Sequence, residues 1–328
     1  MMSGEVLHSA RPQGETTLAK ALNAGLSDAL AADDRVVLMG EDVGTLGGVF
    51  RITDGLKAQF GGRRVIDTPL AESGIVGTAI GMAMRGYRPC VEIQFDGFSA
   101  PAFDQIVSQL ARYRARVGGR WSLSVTIRIP FGGGVGSPEH HSESPEGFYA
   151  NTPGLKVVTC SNPDDAYWML RQSIDSPDPV IFFEPKRRYY TRGHVAQTPT
   201  LGLHQARIAR SGEEVTLICY GPMVDTCLEA AKEASQEGRN SRLLTCVASP
   251  RSTWRLSTNR CAVRQGPSSS RRRHAPRVSA RRSRLGWVRS FITLWRPRYC
   301  ESPAGRPPTR RPRPRGNTSR TSTAFSTP

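Results

Sequence analysis

Over its first 240 residues the chain alternates short apolar runs with helical stretches, and that alternation limits the fold more than any other feature. The runs VVLMG (36–40), RVID (64–67), VEIQF (91–95), SVTIRIP (124–130), LKVVTC (155–160) and PVIFFEP (179–185) read as strands. Residues 16–31 carry apolar side chains at helical spacing, and residues 73–86 (SGIVGTAIGMAMRG) make a small-residue helix able to pack closely on a sheet. An amphipathic helix is expected over 101–117 with Pro101 in its first turn, and Asn162 caps another running to about Ile174. Strands separated by helices in this way predict an α/β fold, a parallel sheet covered on both faces.

A second unit opens near residue 212. There EVTLICYG (214–221) reads as a strand and MVDTCLEAAKEASQEG (223–238) as a helix ending in glycine. A returning parallel strand should follow. Instead, residues from 241 read as an aperiodic run of Arg, Ser, Pro and Thr, so the motif is expected to stop half built. Charge divides at the same place. Residues 1–240 hold 24 basic and 27 acidic side chains, whereas 241–328 hold 21 arginines and one acidic residue, Glu301. The formal charge of +17 therefore describes the last segment, and the folded part is slightly acidic.

Several classes are set aside on composition. No run approaches the roughly 18–20 apolar residues of a membrane span, and the N-terminus lacks a basic region followed by an apolar stretch. Seven scattered cysteines without a CxxC pair read as thiols in a reducing cytoplasm. GxGxxG and GxxxxGK[ST] are both absent, so a pyrophosphate is not held by the usual loops.

Two places could carry chemistry. Asp67-Thr68-Pro69-Leu70-Ala71-Glu72 leaves a strand and enters the small-residue helix, which puts a carboxylate at a strand's carboxyl end, the usual ligand crevice of an open α/β sheet. Spacing alone points first to a helix N-terminal charge favoured by the macrodipole. His140 and His141 sit in a glycine-rich loop after a strand, as acid/base groups or as solvated surface. Phe95 and Phe98, unaided, read as core packing.

Taken in order, GEDVG-x-x-GGVFR-x-T-x-GL (40–56), RVIDTPLAESGIVGTAIGMAMRGYRP (64–89), EIQFDGFSAPAFDQI (92–106), HSESPE (141–146), PGLKVV (153–158) and PVIFFEPK (179–186) resemble the β subunit of the decarboxylase component of 2-oxo acid dehydrogenase complexes. The resemblance runs over about residues 14–240; HSxSPE with EIQF leans to the branched-chain type, with pyruvate enzymes close. It implies a pyrimidine-binding transketolase-like domain over 1–195 and the start of a truncated transketolase C-terminal-like α/β domain over 196–240. It also implies thiamine diphosphate shared with an α subunit that binds the diphosphate and its magnesium ion. An α-partnered heterotetramer, a lipoyl-bearing acyltransferase core and a 2-oxo acid substrate follow from the same resemblance.

Residue by residue, Glu72 matches the family glutamate on the aminopyrimidine ring nitrogen, where a carboxyl group relays the proton that activates the cofactor. Phe98 stands at the aromatic position that stacks on the pyrimidine, with Gln94 beside it. His141 matches the histidine implicated in handing the acyl group to lipoyl-lysine; Glu143 stands where relatives often have Gln. Ser173, Ser176 and Asp178, with Val125 and Thr126, fall where relatives bind a structural potassium ion, although the usual Asp and Asn are Ser176 and Asp178 here.

The tail has its own logic. Read one nucleotide earlier, codons for Ser241 to Trp254 can encode LEVVDLRRLSPLDV, those for Arg282 to Trp287 EIAARV, those for Trp295 to Ser302 LEAPVLRV, and those for Asn317 to Pro328 EYLPDLDRVLDA. All four resemble the missing family domain, in order and in one frame. Residues from about 241 are therefore expected to be an out-of-frame, disordered tail. The rival readings are an Arg-rich nucleic-acid binder using Trp254, Trp287 and Trp295 for base stacking, and an inactive truncated remnant.

Overall fold

The computed structural model describes residues 9–245 apart from Pro138 and His204, all within the unit formed by residues 1–292. The expectations for the tail beyond Thr245, including Cys246, Cys261 and Cys300, lie outside the described residues. In chain order the elements are β1 (Thr16–Thr17), α1 (Leu18–Ala32), β2 (Val36–Gly40), α2 (Leu56–Phe60), β3 (Val65–Asp67), α3 (Glu72–Met84) and β4 (Arg88–Glu92). A π-helical turn, Gln105–Leu110, then runs into α4 (Ala111–Arg116). There follow β5 (Thr126–Phe131), α5 (Glu146–Ala150), β6 (Lys156–Thr159), α6 (Pro163–Ile174), β7 (Val180–Pro185) and β8 (Arg192–Gly193). The last four are β9 (Arg207–Arg210), β10 (Val215–Cys219), α7 (Met223–Gln236) and β11 (Ser241–Thr245).

Six strands form one parallel sheet in the order β3-β2-β4-β5-β7-β6. Successive strand residues point to opposite faces. Hence Phe182 joins Leu38, Cys90, Leu22, Leu26 and Leu170 under α1 and α6, while Phe183 joins Val91, Ile127, Ile75, Val76 and Ile106 under α3 and the π turn. Each fully buried Leu or Phe contributes roughly 1.5–3 kcal/mol, so the two covers supply most of the driving force. Asn162 caps α6 by accepting the Asp165 amide at 2.9 Å, as its position before Pro163 predicts.

One polar network interrupts the apolar face under α1 and α6. Fully buried Arg128 donates to Glu92 at 2.7 Å and to both oxygens of Glu184 at 2.6 and 3.1 Å, and Tyr189 donates to Glu184 at 2.9 Å. Desolvation opposes the Arg128 charge, but the two carboxylates outweigh it and hold the guanidinium above its ordinary pKa. Burial pushes Glu92 up despite Arg128, and pushes the neighbouring Cys90 thiol to about 12. Such a triad stitches β4, β5 and β7 together without adding much net stability.

Three readings are corrected. The strand expected at 91–95 begins at Arg88 and ends at Glu92, because beyond Ile93 the Asp96 carboxylate takes up the Gly97 and Gly132 amides. The single helix expected over 101–117 is broken into a turn, the π-helical stretch and the short α4. The returning strand held to be missing is present as β11, paired in parallel with β10 from Val215↔Ser241 to Cys219↔Thr245, so it crosses the boundary drawn at 240. Leu243 and Leu244 give that segment the apolar side chains it needs. β9 adds an antiparallel edge to β11. No helix among the described residues is long and apolar enough to cross a membrane.

Candidate active site

In an all-parallel sheet every strand delivers its following loop to the same end, and the charged and aromatic side chains collect there. β2 ends at Gly40, and Glu41 follows it into the crevice, only 7% exposed, with its Oε1 atom buried and without a hydrogen-bond partner among the described residues. β3 leads through Thr68, whose amide donates to the Gly40 carbonyl at 2.9 Å, to Glu72 at the first position of α3. Glu72 is likewise 7% exposed. Desolvation raises the Glu41 pKa, and the charges of Glu72 and then Asp42 raise it further, so the two buried glutamates share one electrostatic environment. From the end of β4, Gln94 donates to the Glu41 carbonyl at 3.4 Å and to Asp42 Oδ2 at 3.2 Å. Glu72 and Gln94 thus meet through the 41–42 loop.

A second cluster forms around His141. Its ring lies 4.4 Å from that of Phe95 and 5.2 Å from that of Phe98, edge-on to both, and Phe50 packs on Phe95 at 5.4 Å. His141 Nδ1 lies 2.9 Å from the Glu139 carbonyl, which can only accept. That contact requires a proton on Nδ1, and with a single proton on the ring Nε2 is the acceptor. Glu139 and His140 both adopt left-handed φ values, 30° and 65°. That tight turn sits directly on the Asp96–Ser99 turn, where a β-carbon on Gly97 would come within 2.5 Å of His140 Cα, so only glycine fits. The Glu143 carboxylate lies 3.8 Å from His140 and has no ion pair with His141.

The residues assigned to potassium do not assemble a potassium site. They lie at the opposite, amino-terminal end of β5 and β7. Lys156 Nζ already fills the centre of the group, 2.9 Å from Ser176 Oγ and 3.3 Å from Asp178 Oδ2, and Arg114 also pairs with Asp178. Ser176 Oγ donates to the Asp178 carbonyl, Ser173 Oγ to the Met169 carbonyl, and the Val125 carbonyl accepts the Val180 amide. With two side-chain cations already on Asp178, the one carboxylate among Val125, Thr126, Ser173, Ser176 and Asp178, the side chains of that set do not fit a further cation. No cluster of three or more His, Cys, Asp or Glu suited to a metal ion occurs among the described residues.

Three residues of the crevice escape sequence reasoning: Glu41, Asp96 and Lys186. Each is a charged residue immediately following an apolar strand run, and that placement is the signal that could have found them.

Residues 15–191 match the transketolase pyrimidine-binding domain family and residues 204–265 the transketolase C-terminal domain family. The chain is 57% identical over 225 residues to the pyruvate dehydrogenase E1 component subunit beta of Leifsonia xyli, covering 68% of this chain and 66% of that protein. It is 54% identical over 222 residues to the 3-methyl-2-oxobutanoate dehydrogenase subunit beta of Mycobacterium tuberculosis, covering 67% of this chain and 64% of the relative. A Staphylococcus epidermidis pyruvate dehydrogenase E1 component subunit beta is 46% identical over 68% of this chain and 70% of its own length. The matches to the first two thus span slightly less than two thirds of those relatives. Among solved structures, the inactive β4 tetramer of a split-gene transketolase superposes with a TM-score of 0.56 at 19% identity over 71% of each chain. Campylobacter jejuni transketolase does so with 0.58 at 15% identity over 73% of this chain and 37% of its own. These two support the fold alone.

Proposed function

The chain belongs to the family of β subunits of 2-oxo acid dehydrogenases, and from that premise we propose that it is the aminopyrimidine-binding half of a thiamine diphosphate enzyme oxidising branched-chain 2-oxo acids. The observation that carries this reading is the buried pair Glu41 and Glu72, with one Glu41 oxygen unpartnered in the crevice. Two carboxyl groups in a solvent-poor pocket fit a ligand that offers an amino donor to a carboxylate and a ring-nitrogen acceptor to a protonated carboxyl, as an aminopyrimidine does. Glu72 would hold the ring nitrogen and keep a proton at its carboxyl oxygen, Phe98 would cover the ring face, and Gln94 would keep the 41–42 loop in place. When bound, thiamine diphosphate supplies the carbon nucleophile and the electron sink that decarboxylation needs. His141 would offer Nε2 to the group that accepts the acyl product, the lipoyl-lysine of the acyltransferase core. An α subunit would hold the diphosphate and its magnesium ion, which agrees with the missing phosphate loops of this chain.

The same geometry serves acetyl transfer from pyruvate, and the 57% identity to a relative named for pyruvate supports that as the second reading. For residues from about 241 we propose an out-of-frame origin, with poor assembly as the consequence. Sequencing of the gene and an intact mass decide it: a mass of 35.9 kDa with an uninterrupted frame excludes a sequencing error.

The test is coexpression with the α subunit, using this chain and a version carrying the hidden-frame residues. Thiamine-dependent turnover of branched 2-oxo acids is expected, and Glu72→Gln should lower it by about 10²–10⁴-fold, the range of a lost acid/base group. Absence of turnover on any 2-oxo acid in both versions overturns the proposal.

A further inference from the structure

Lys186 is the first residue after β7, and its side chain is completely buried beside the equally buried side chain of Asp96. Its ammonium donates to Asp96 Oδ2 at 2.8 Å and to the His141 carbonyl at 2.7 Å, and it stands 5.3 Å above the Phe95 ring. Asp96 in turn accepts the Gly97 amide at 3.1 Å and the Gly132 amide at 3.0 Å. Those two amides also reach the loop: Gly97 donates to the His140 carbonyl at 3.1 Å and Gly132 to the Glu143 carbonyl at 2.8 Å. The carbonyls of His140, His141 and Glu143 are therefore all fastened to one buried ion pair. Desolvation works against the lysine charge and lowers its pKa, while Asp96 opposes that shift. A buried pair of this kind contributes little net stability and gains meaning when it selects one conformation. The ring of His141 is otherwise held by its bond to Glu139 within the same loop and by edge contacts with Phe95 and Phe98.

We propose that Lys186 and Asp96 are positioning residues that lock the His141 loop, so that His141 Nε2 is presented at one fixed place in the crevice. The role assigned to His141 rests on the function proposed above; the clamp itself rests on the hydrogen bonds. Among the described residues no hydrogen bond or ion pair joins the clamp to the Glu41–Glu72 pair, so its loss separates the two clusters of the site.

The experiment has two readouts. Hydrogen exchange on the full chain reads the clamp without any cofactor: Lys186→Met should speed exchange at the Gly97 and Gly132 amides, the donors that hold the loop, by about tenfold or more and leave β5 protected. In the α-partnered enzyme, Lys186→Met should cut turnover with a lipoylated acceptor domain about tenfold more than decarboxylation read with ferricyanide, as His141→Ala should. Lys186→Arg should restore part of the loss. If Lys186→Met leaves Asp96 uncompensated and does not fold, the charge-free pair Asp96→Asn with Lys186→Met must give the same pattern. Unchanged exchange at the Gly97 and Gly132 amides, or equal loss of both activities, overturns the proposal. A wild-type enzyme without either activity refutes the proposed function, while the exchange result still decides the clamp.

Discussion

The two larger sheets among the described residues have ladders of similar length and very different surroundings. β2, β5 and β7 are buried at every position, with helices over both faces. β10 pairs with β11 over five residues, yet Val215, Thr216 and Ile218 stay exposed, and its buried cluster contains only Cys219, Val224, Cys227 and Leu243. α7 covers one face. Net hydrogen-bond contributions are modest and similar in both sheets, so the number of covered faces decides how firmly each is held.

Arg128→Met should have the largest effect. It leaves Glu92 and Glu184 buried without their cation, at a cost of about 3–5 kcal/mol, read as a lower urea midpoint of the main transition. A loss below about 1 kcal/mol would mean that the triad is not what joins the central strands. Leu243→Ala, at a fully buried position, should cost about 2–3 kcal/mol. That loss should appear as faster exchange in β10 and β11 alone; a shift of the main midpoint instead would mean that the two sheets unfold together.

Acid comes next. Partial desolvation works against the Asp67 charge, but Lys57 and the Gly44 and Thr45 amides outweigh it and hold the pKa at about 2. A depressed carboxylate adds stability above its unfolded pKa of about 3.9 and loses it as pH falls toward the folded value. Circular dichroism should show wild type losing stability between pH 4 and 2, and Asp67→Asn lacking that component. The group is well exposed, so the effect is small and falls with added salt. Smallest of all, Ile218→Lys on the open face of β10 should change stability by less than about 0.5 kcal/mol. The same replacement at buried Ile181 should prevent folding; equal effects would erase the distinction between the sheets.

The large sheet was readable because its strands are short apolar runs punctuated by helices, a local pattern. The charges within and just after those runs were not, since their partners are remote: Arg128 meets Glu184 56 residues on, and Lys186 meets Asp96 90 residues back. Glu72 could be found from its place at a strand end, and His141 from its loop and the family resemblance. The Lys156 ammonium on Ser176 Oγ was not foreseen, because Lys156 lies on β6, which no spacing argument joins to Ser176. β11 was overlooked because two leucines in an arginine-rich context look like the start of the tail, whereas pairing with β10 needs only five suitable residues.

The lengths of the outermost strands have one more effect. β3 offers three residues and β6 four, against five or six in the strands between them. A boundary strand of that length presents few open amides to another molecule. The sheet is thus self-limiting, with protection against runaway growth written into its margins.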